Sequence, residues 1–314
     1  MGYAKSDLIE VQEFTRQREG EEVIIGLPIT NTFLALPAEA LEILDSLSRG
    51  KTVGEAQAEF ARAHGIEADI DDLLQCLERR GFVRLRGDDA ADGPFPPGAV
   101  GPAVKGARYH FAFIPQSFAK RVFSPFSLTL CFTVIAAALF IALTHPSLIP
   151  GRRSLVFAEH RTLKILALSF VAYCTIFLHE LAHLLAAKAQ GVESRVGFSN
   201  RLWILVAETD MTGLWAVPRR QRYLPVLAGP LLDSFSAALL FLFYAYSKST
   251  LSLTPSVEQV VRALIFMYMF RLLWQCNLFV RTDFYYVITT FFGCKNLMKD
   301  TEVFIRNLFL RVIG

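Results

Sequence analysis

His179-Glu180-Leu181-Ala182-His183 has a spacing that chemistry can use. On a helix, residues i and i+4 share a face, so both imidazoles can reach one ion. Two neutral imidazoles and a carboxylate suit Zn²⁺ and leave a fourth position for water. An ion so held lowers the pKa of that water to roughly 7, and Glu180 is the general base that can take its proton as it attacks a peptide carbonyl. The same five residues also occur as surface histidines around a solvated carboxylate. Here they lie in an apolar run from Leu163 to about Ala189, where ionisable side chains are costly and mark function. Sixteen residues, from 163 to 179, carry the chain about 24 Å along a helix axis. His179 is therefore expected in the cytosolic half of a bilayer.

Such a site needs a third ligand. Asn277-Leu278-Phe279-Val280-Arg281-Thr282-Asp283 interrupts a later apolar run, and Phe284-Tyr285-Tyr286-Val287-Ile288 resumes it. Irregular backbone at membrane depth is tolerated where it lines a cavity, so Asp283 is the expected ligand. The plainer reading makes Asp283 a helix N-cap at a membrane boundary. Asp233, about ten residues into the preceding apolar run, is the rival ligand. Arg271 lies at a similar depth on the following run, and a lone buried charge there is expensive. Asp233 and Arg271 are thus expected to form a structural ion pair.

His179 to His183 in an apolar helix, an Asn277-to-Asp283 segment and then Tyr285-Tyr286 resemble the site-2 protease family of intramembrane zinc metalloproteases, in its bacterial peptide zinc metalloprotease branch. Thr209-Asp210-Met211-Thr212, Arg219-Arg220-Gln221-Arg222 and Leu227-Ala228-Gly229-Pro230-Leu231 add to the likeness, which covers about residues 165 to 297. The resemblance implies one Zn²⁺ held by His179, His183 and Asp283, with Glu180 as catalytic acid/base and Asn277 orienting substrate. Phe284 stands where the family usually has glycine, and Leu278 where it often has proline.

The elements that must position these residues are mostly membrane-like. Phe126 to Leu143 is long and apolar enough to span a ~30 Å hydrocarbon core. Further runs extend from Leu163 to about Ala189, from Tyr223 to about Tyr246, and, interrupted, from about Val260 to Phe292. Between the second and third, Val192–Val196 and Leu202–Ala207 are too short to span and are expected to pair as a β-hairpin. In the resembling family such an element lies beside the active site, where a strand edge can hold an extended substrate.

Residues 21–86 read as a soluble module. Val23-Ile24-Ile25 is β-like, and Leu36 to Leu47 has helical spacing with Pro37 in its first turn. Thr52-Val53-Gly54-Glu55 is a capping box that starts a helix at Val53, to stop at Gly65. A third helix is expected over Ile70–Arg80 and a strand over Phe82–Leu85. Leu36-Pro37-Ala38-Glu39-Ala40-Leu41-Glu42-Ile43-Leu44, Gly50-Lys51-Thr52-Val53 and Leu73 to Val83 resemble a PqqD-like winged-helix domain. That resemblance implies capture of a leader peptide by strand addition.

The expected fold is mainly α: a polytopic transmembrane helix bundle of about four crossings with an N-terminal α+β winged-helix-like domain. Its parts are an N-terminal segment (1–20), the PqqD-like domain (21–86), a Gly/Pro/Asp-rich linker (87–106), the transmembrane metalloprotease domain (107–301) and a C-terminal amphipathic segment (302–314).

Apolar residues make up 53% of the 314 and charged residues still reach 19%, which suits a soluble part joined to a membrane part. A net charge of +3 and an acidic third helix (Asp71, Asp72, Glu78 against Arg79, Arg80) argue against nucleic acid as a partner, and none is expected. The five cysteines form no CxxC pair, and three lie in apolar runs, so buried thiols are expected. The N-terminus carries no apolar stretch, so no signal peptide is expected. Six basic residues fall between 188 and 222 and four in the other two loops, which together with the polar N-terminal module favours a multi-pass protein of the bacterial cytoplasmic membrane with a cytosolic N-terminal domain. The expected activity is zinc-dependent cleavage of a peptide precursor or membrane-associated peptide, as in maturation of ribosomal peptide natural products. Its expected partners are that substrate and the lipid bilayer, with a second copy of the chain or biosynthetic proteins as further candidates. Regulatory cleavage of a membrane-anchored signalling factor is one alternative. A non-catalytic peptide binder or exporter that keeps the metal site is the other, and Phe284 is the residue that favours it.

Overall fold

The computed structural model describes residues 2–27, 30, 32–86, 111, 113–157, 159–192, 194–201, 204–251, 253–294 and 297–313. They divide into two units, Met1–Arg108 with Thr212–Pro218, and Tyr109–Met211 with Arg219–Gly314. The expected linker lies outside the described residues.

In the first unit, β1 (Ile9–Val11) pairs antiparallel with β5 (Val83–Leu85). A second sheet has the order β2 (Thr15–Glu19), β3 (Glu22–Leu27), β4 (Thr32–Pro37), all antiparallel. Three helices follow: α1 (Ala38–Ser48), α2 (Val53–His64) and α3 (Ile70–Arg79). Each start has a local cause. Pro37 precedes α1, and its fixed φ suits a helix entry. At α2 the Glu55 amide donates to Thr52 Oγ1 (3.3 Å), while the Thr52 amide donates to Glu55 Oε2 (2.9 Å), the reciprocal box expected from sequence. Gly65 ends α2 in the left-handed region at φ 70°. Asp69 caps α3 through the Asp72 amide. Leu44, Leu47, Leu74, Leu77 and Phe82 are fully buried where the helices meet β5, so apolar spacing and core agree.

Two readings change. Leu36 belongs to β4, not to the first helix, because it pairs across the sheet with Val23. The first twenty residues are not a separate segment: they supply β1 and β2. Thr15–Glu19 is a polar edge strand, so it carries no apolar alternation to betray it.

Among its described residues, the regular structure of the second unit is helical apart from one hairpin. It runs α4 (Gln116–Val122), α5 (Pro125–Thr144), α6 (Arg161–Ala189), β6 (Arg195–Arg201), β7 (Ile204–Asp210), α7 (Arg219–Thr250), α8 (Pro255–Gln275), α9 (Asp283–Phe292) and α10 (Leu297–Ile313). Among the described residues, three helical stretches are long and apolar enough to cross a membrane: Gln116–Thr144, which joins α4 to α5, then α6 and α7. α8 has 21 residues but carries Glu258, Arg262 and Arg271, and is not one of the three. At about 15 Å, α9 is too short to span. α10 begins before the tail expected at 302, and its described residues 301–310 are exposed.

α7 is the central helix, packing on α5, α6, α8 and α9. In its apolar window 39% is buried, against 6% and 11% in the other two stretches, so those present most of their surface outward. Phe126, Phe140 and Leu143 on α5, and Leu163, Leu166 and Phe170 on α6, are exposed. In water so much contiguous apolar surface is a liability; against lipid it is the expected exterior. The five cysteines are free, but none is buried: Cys174 and Cys276 are exposed and the others intermediate. For Cys174 the reason is this outward-facing half of α6.

The α2 cap can be tested alone. Removing an N-cap hydroxyl costs about 1 kcal/mol. Thr52→Ala should therefore speed amide exchange in the first turn of α2 roughly fivefold and leave α3 unchanged. Hydrogen bonds from the Thr52 amide, then from its hydroxyl, hold the Glu55 carboxyl below its usual range. Its folded-state pKa is lowered, so the protection is full at neutral pH and fades as acid protonates Glu55.

Candidate metal centre

Helix α6 carries the two imidazoles one turn apart, both buried at 6% and 2% exposure. It crosses α7 on small side chains: Ala182 and Ala186 of α6 pack against Ala228 of α7. Small residues let backbones approach closely where apolar burial drives no association. Gly229 continues this contact directly beneath the imidazoles. A Cβ at that position would lie 2.4 Å from His179 Nε2 and 2.4 Å from His183 Nε2.

The outer ring nitrogens are committed. His183 Nδ1 is 2.7 Å from the Pro225 carbonyl, and His179 Nδ1 is 2.8 Å from Asp233 Oδ2. A carbonyl and a carboxylate only accept, so Nδ1 is the protonated nitrogen of both rings in the neutral state. Each Nε2 then presents a lone pair. The two Nε2 atoms are 3.1 Å apart. Asp283 joins them, with Oδ2 at 3.1 Å from His179 Nε2 and Oδ1 at 3.4 Å from His183 Nε2. Three acceptor groups thus face one another, and one proton between them satisfies only one of the three contacts. A metal cation satisfies all three.

His179, Glu180 and His183 form a cluster that could hold a metal ion, with ligand atoms within 4.8 Å of one another. Glu180 is held from the side of the hairpin. β6 and β7 pair antiparallel, Arg195 opposite Asp210 and Arg201 opposite Ile204, so the hairpin exists with its strands shifted from Val192–Val196 and Leu202–Ala207. The Thr209 amide of β7 donates to Glu180 Oε2 (2.8 Å), and Thr209 Oγ1 donates to the Glu180 carbonyl (2.9 Å).

Asp233 is almost wholly buried and forms an ion pair with Arg271, whose guanidinium also donates to Thr175 Oγ1 (3.2 Å). Arg271 of α8, Asp233 of α7 and His179 of α6 are therefore joined in one line. Asp233 meets the outer nitrogen of His179, away from the face shared with His183, so it is placed to support a candidate ligand and not to be one, as the rival reading had it. Thr282 is the N-cap of α9 and Asp283 its first residue. Asn277 is not brought to the cluster by any described contact: its Oδ1 accepts from the Phe279 amide (3.2 Å), which shapes the α8–α9 turn.

Four contributors had no role assigned from sequence: the Pro225 carbonyl and Gln275, and also Gly229 and Thr209, which stood there only as parts of the resembling motifs. Gln275 donates from Nε2 to Asp283 Oδ2 (2.9 Å). Its local signal was a polar residue ending an apolar helix just before a break. The others act through contacts 29 to 50 residues distant in sequence. Comparison with known proteins returns no matching family model, no matching curated protein and no matching solved structure.

Glycine in a helix interior normally destabilises by roughly 0.5–1 kcal/mol relative to alanine. In Gly229→Ala that gain is offset by the cost of pushing aside two imidazoles pinned by buried hydrogen bonds, so the variant should be no more stable than the parent while its rings are displaced. The expected result is at least roughly tenfold weaker binding of one divalent ion by titration in detergent. Unchanged affinity would place the ion elsewhere.

Proposed function

We propose that this chain is an intramembrane zinc metalloprotease of the site-2 type. The observation that carries the reading is the convergence of two imidazole Nε2 atoms and the Asp283 carboxylate beside Glu180, on helices built for an apolar surrounding. The donor set of two nitrogens and a carboxylate suits Zn²⁺, with His179, His183 and Asp283 holding it. The ion would supply a Lewis acid to the scissile carbonyl. Glu180 takes a proton from the attacking water and returns it to the leaving amine. The Thr209 amide holds one Glu180 oxygen, which leaves the other for that exchange.

The hairpin supports a substrate site. Because the Thr209 amide points to Glu180, it lies on the edge of β7 that faces away from β6. Ala207 and Leu205 share that edge by the two-residue period of a strand. An extended peptide laid along it would be led to Glu180, in the backbone form that a protease cuts. In this reading α8 completes a four-helix crossing, Arg271 being neutralised by Asp233. The N-terminal unit is read as a cytosolic, PqqD-like peptide-capture domain of a bacterial inner-membrane protein, with its three-stranded antiparallel sheet as the element that a peptide strand would extend.

Glu180→Gln removes the base and keeps the ligands. The variant should retain one equivalent of zinc and lose at least about a hundredfold in cleavage of an apolar peptide library, read by mass spectrometry. Cleavage at the parental rate would remove Glu180 from the mechanism. Zinc without turnover in the parent protein would favour the non-catalytic peptide binder.

A further inference from the structure

Asp283 stands at the first position of α9, where a backbone N–H has no partner inside the helix. Gln275, the last residue of α8, supplies one: the Asp283 amide donates to Gln275 Oε1 at 3.1 Å. The other end of the same carboxamide donates from Nε2 to Asp283 Oδ2 at 2.9 Å. Both ends of the Gln275 side chain are thus spent on one residue. The network also fixes which end is which, since only Oε1 can accept and only Nε2 can donate. Thr282 Oγ1 donates to the Gln275 carbonyl at 2.8 Å, so the two helix ends are joined by three hydrogen bonds across the turn at 276–282. Gln275 is buried, at 9% exposure, so water does not compete freely for these bonds.

A residue that merely capped α9 would need only Oε1. The bond from Nε2 goes further, because Oδ2 is also the oxygen nearest His179 Nε2. A short carboxylate side chain turns about two bonds. Holding Oδ2 from one side sets that rotation, and the same rotation turns Oδ1 towards His183. The donor is neutral, so it orients the carboxylate while leaving its negative charge for a cation.

We propose that Gln275 is a positioning residue of the metal centre, whose carboxamide locks the Asp283 carboxylate in the orientation that presents both oxygens to the two imidazoles. This rests on the reading of Asp283 as a metal ligand. Partners of ligating carboxylates in other metal sites typically contribute 10- to 100-fold in affinity.

The test uses the full-length protein in detergent, titrated with Co²⁺ and read by visible d–d absorption, which reports ligand geometry and not folding. Gln275→Leu keeps much of the volume in apolar surroundings and removes both hydrogen-bonding ends; Gln275→Ala serves as a second truncation should the leucine variant lose monodispersity. Asp283→Asn is measured alongside. The expected result is one Co²⁺ bound by the parent and about 10- to 100-fold weaker binding with an altered absorption band in the Gln275 variants. Asp283→Asn should bind weaker still, with helix content unchanged throughout. Parental affinity and band in the Gln275 variants, with Asp283→Asn impaired, would overturn the proposal and leave the ligand reading standing. Parental behaviour of Asp283→Asn would overturn the ligand reading and the proposal with it.

Discussion

Two imidazole nitrogens that both present lone pairs repel at 3.1 Å unless positive charge sits between them. The Pro225 carbonyl and the Asp233 carboxylate claim the protonated nitrogen of each ring, so neither ring turns its N–H inward without giving up a buried hydrogen bond. A carboxylate then approaches the same point. Around this concentration of acceptors the rest of the second unit is arranged. Small residues let α6 and α7 touch where the rings meet, and Gly229 leaves the volume that a side chain would fill.

The same constraint explains the buried charge around it. Asp233 is costly within helices that present apolar surface outward, and an unpaired charge there would cost several kcal/mol. Arg271 neutralises it, and Thr175 takes a second guanidinium N–H. The pair also ties α8 to α7 and, through His179, to α6. An interaction read from sequence as a lock thus does two things: it holds three helices in register and sets the ring orientation of a candidate ligand. On the opposite side Thr209 fixes Glu180 from the hairpin. The site is therefore held from α6, α7, α8, α9 and β7, and no single helix contains it.

What sequence conveyed was local. The i, i+4 histidines follow from helical geometry alone, the Thr52 box and Gly65 stop from capping chemistry, and the break before Asp283 from polar residues interrupting an apolar run. Depth along antiparallel helices sufficed to match Asp233 with Arg271. What escaped depends on where distant segments cross. Gly229 stood out only as part of a resembling motif, and its role appears when two rings lie 2.4 Å from its absent Cβ. Thr209 likewise belonged to a resembling motif without a role, and its role appears when its amide meets Glu180. Gln275 stood two residues before the segment that drew attention to Asn277, yet Gln275 contacts Asp283 while Asn277 bonds within its own turn. The strands β1 and β2 were hidden for a different reason: one is three residues long and the other polar, so neither carries a period.

X-ray absorption at the metal edge of the purified, zinc-loaded protein tests the centre most directly. One zinc per chain, with the multiple-scattering signature of two imidazoles at about 2.0–2.1 Å and the rest of the shell oxygen, is the result this account predicts. Zinc bound through sulfur, through fewer than two imidazoles, or not retained at one per chain would contradict it.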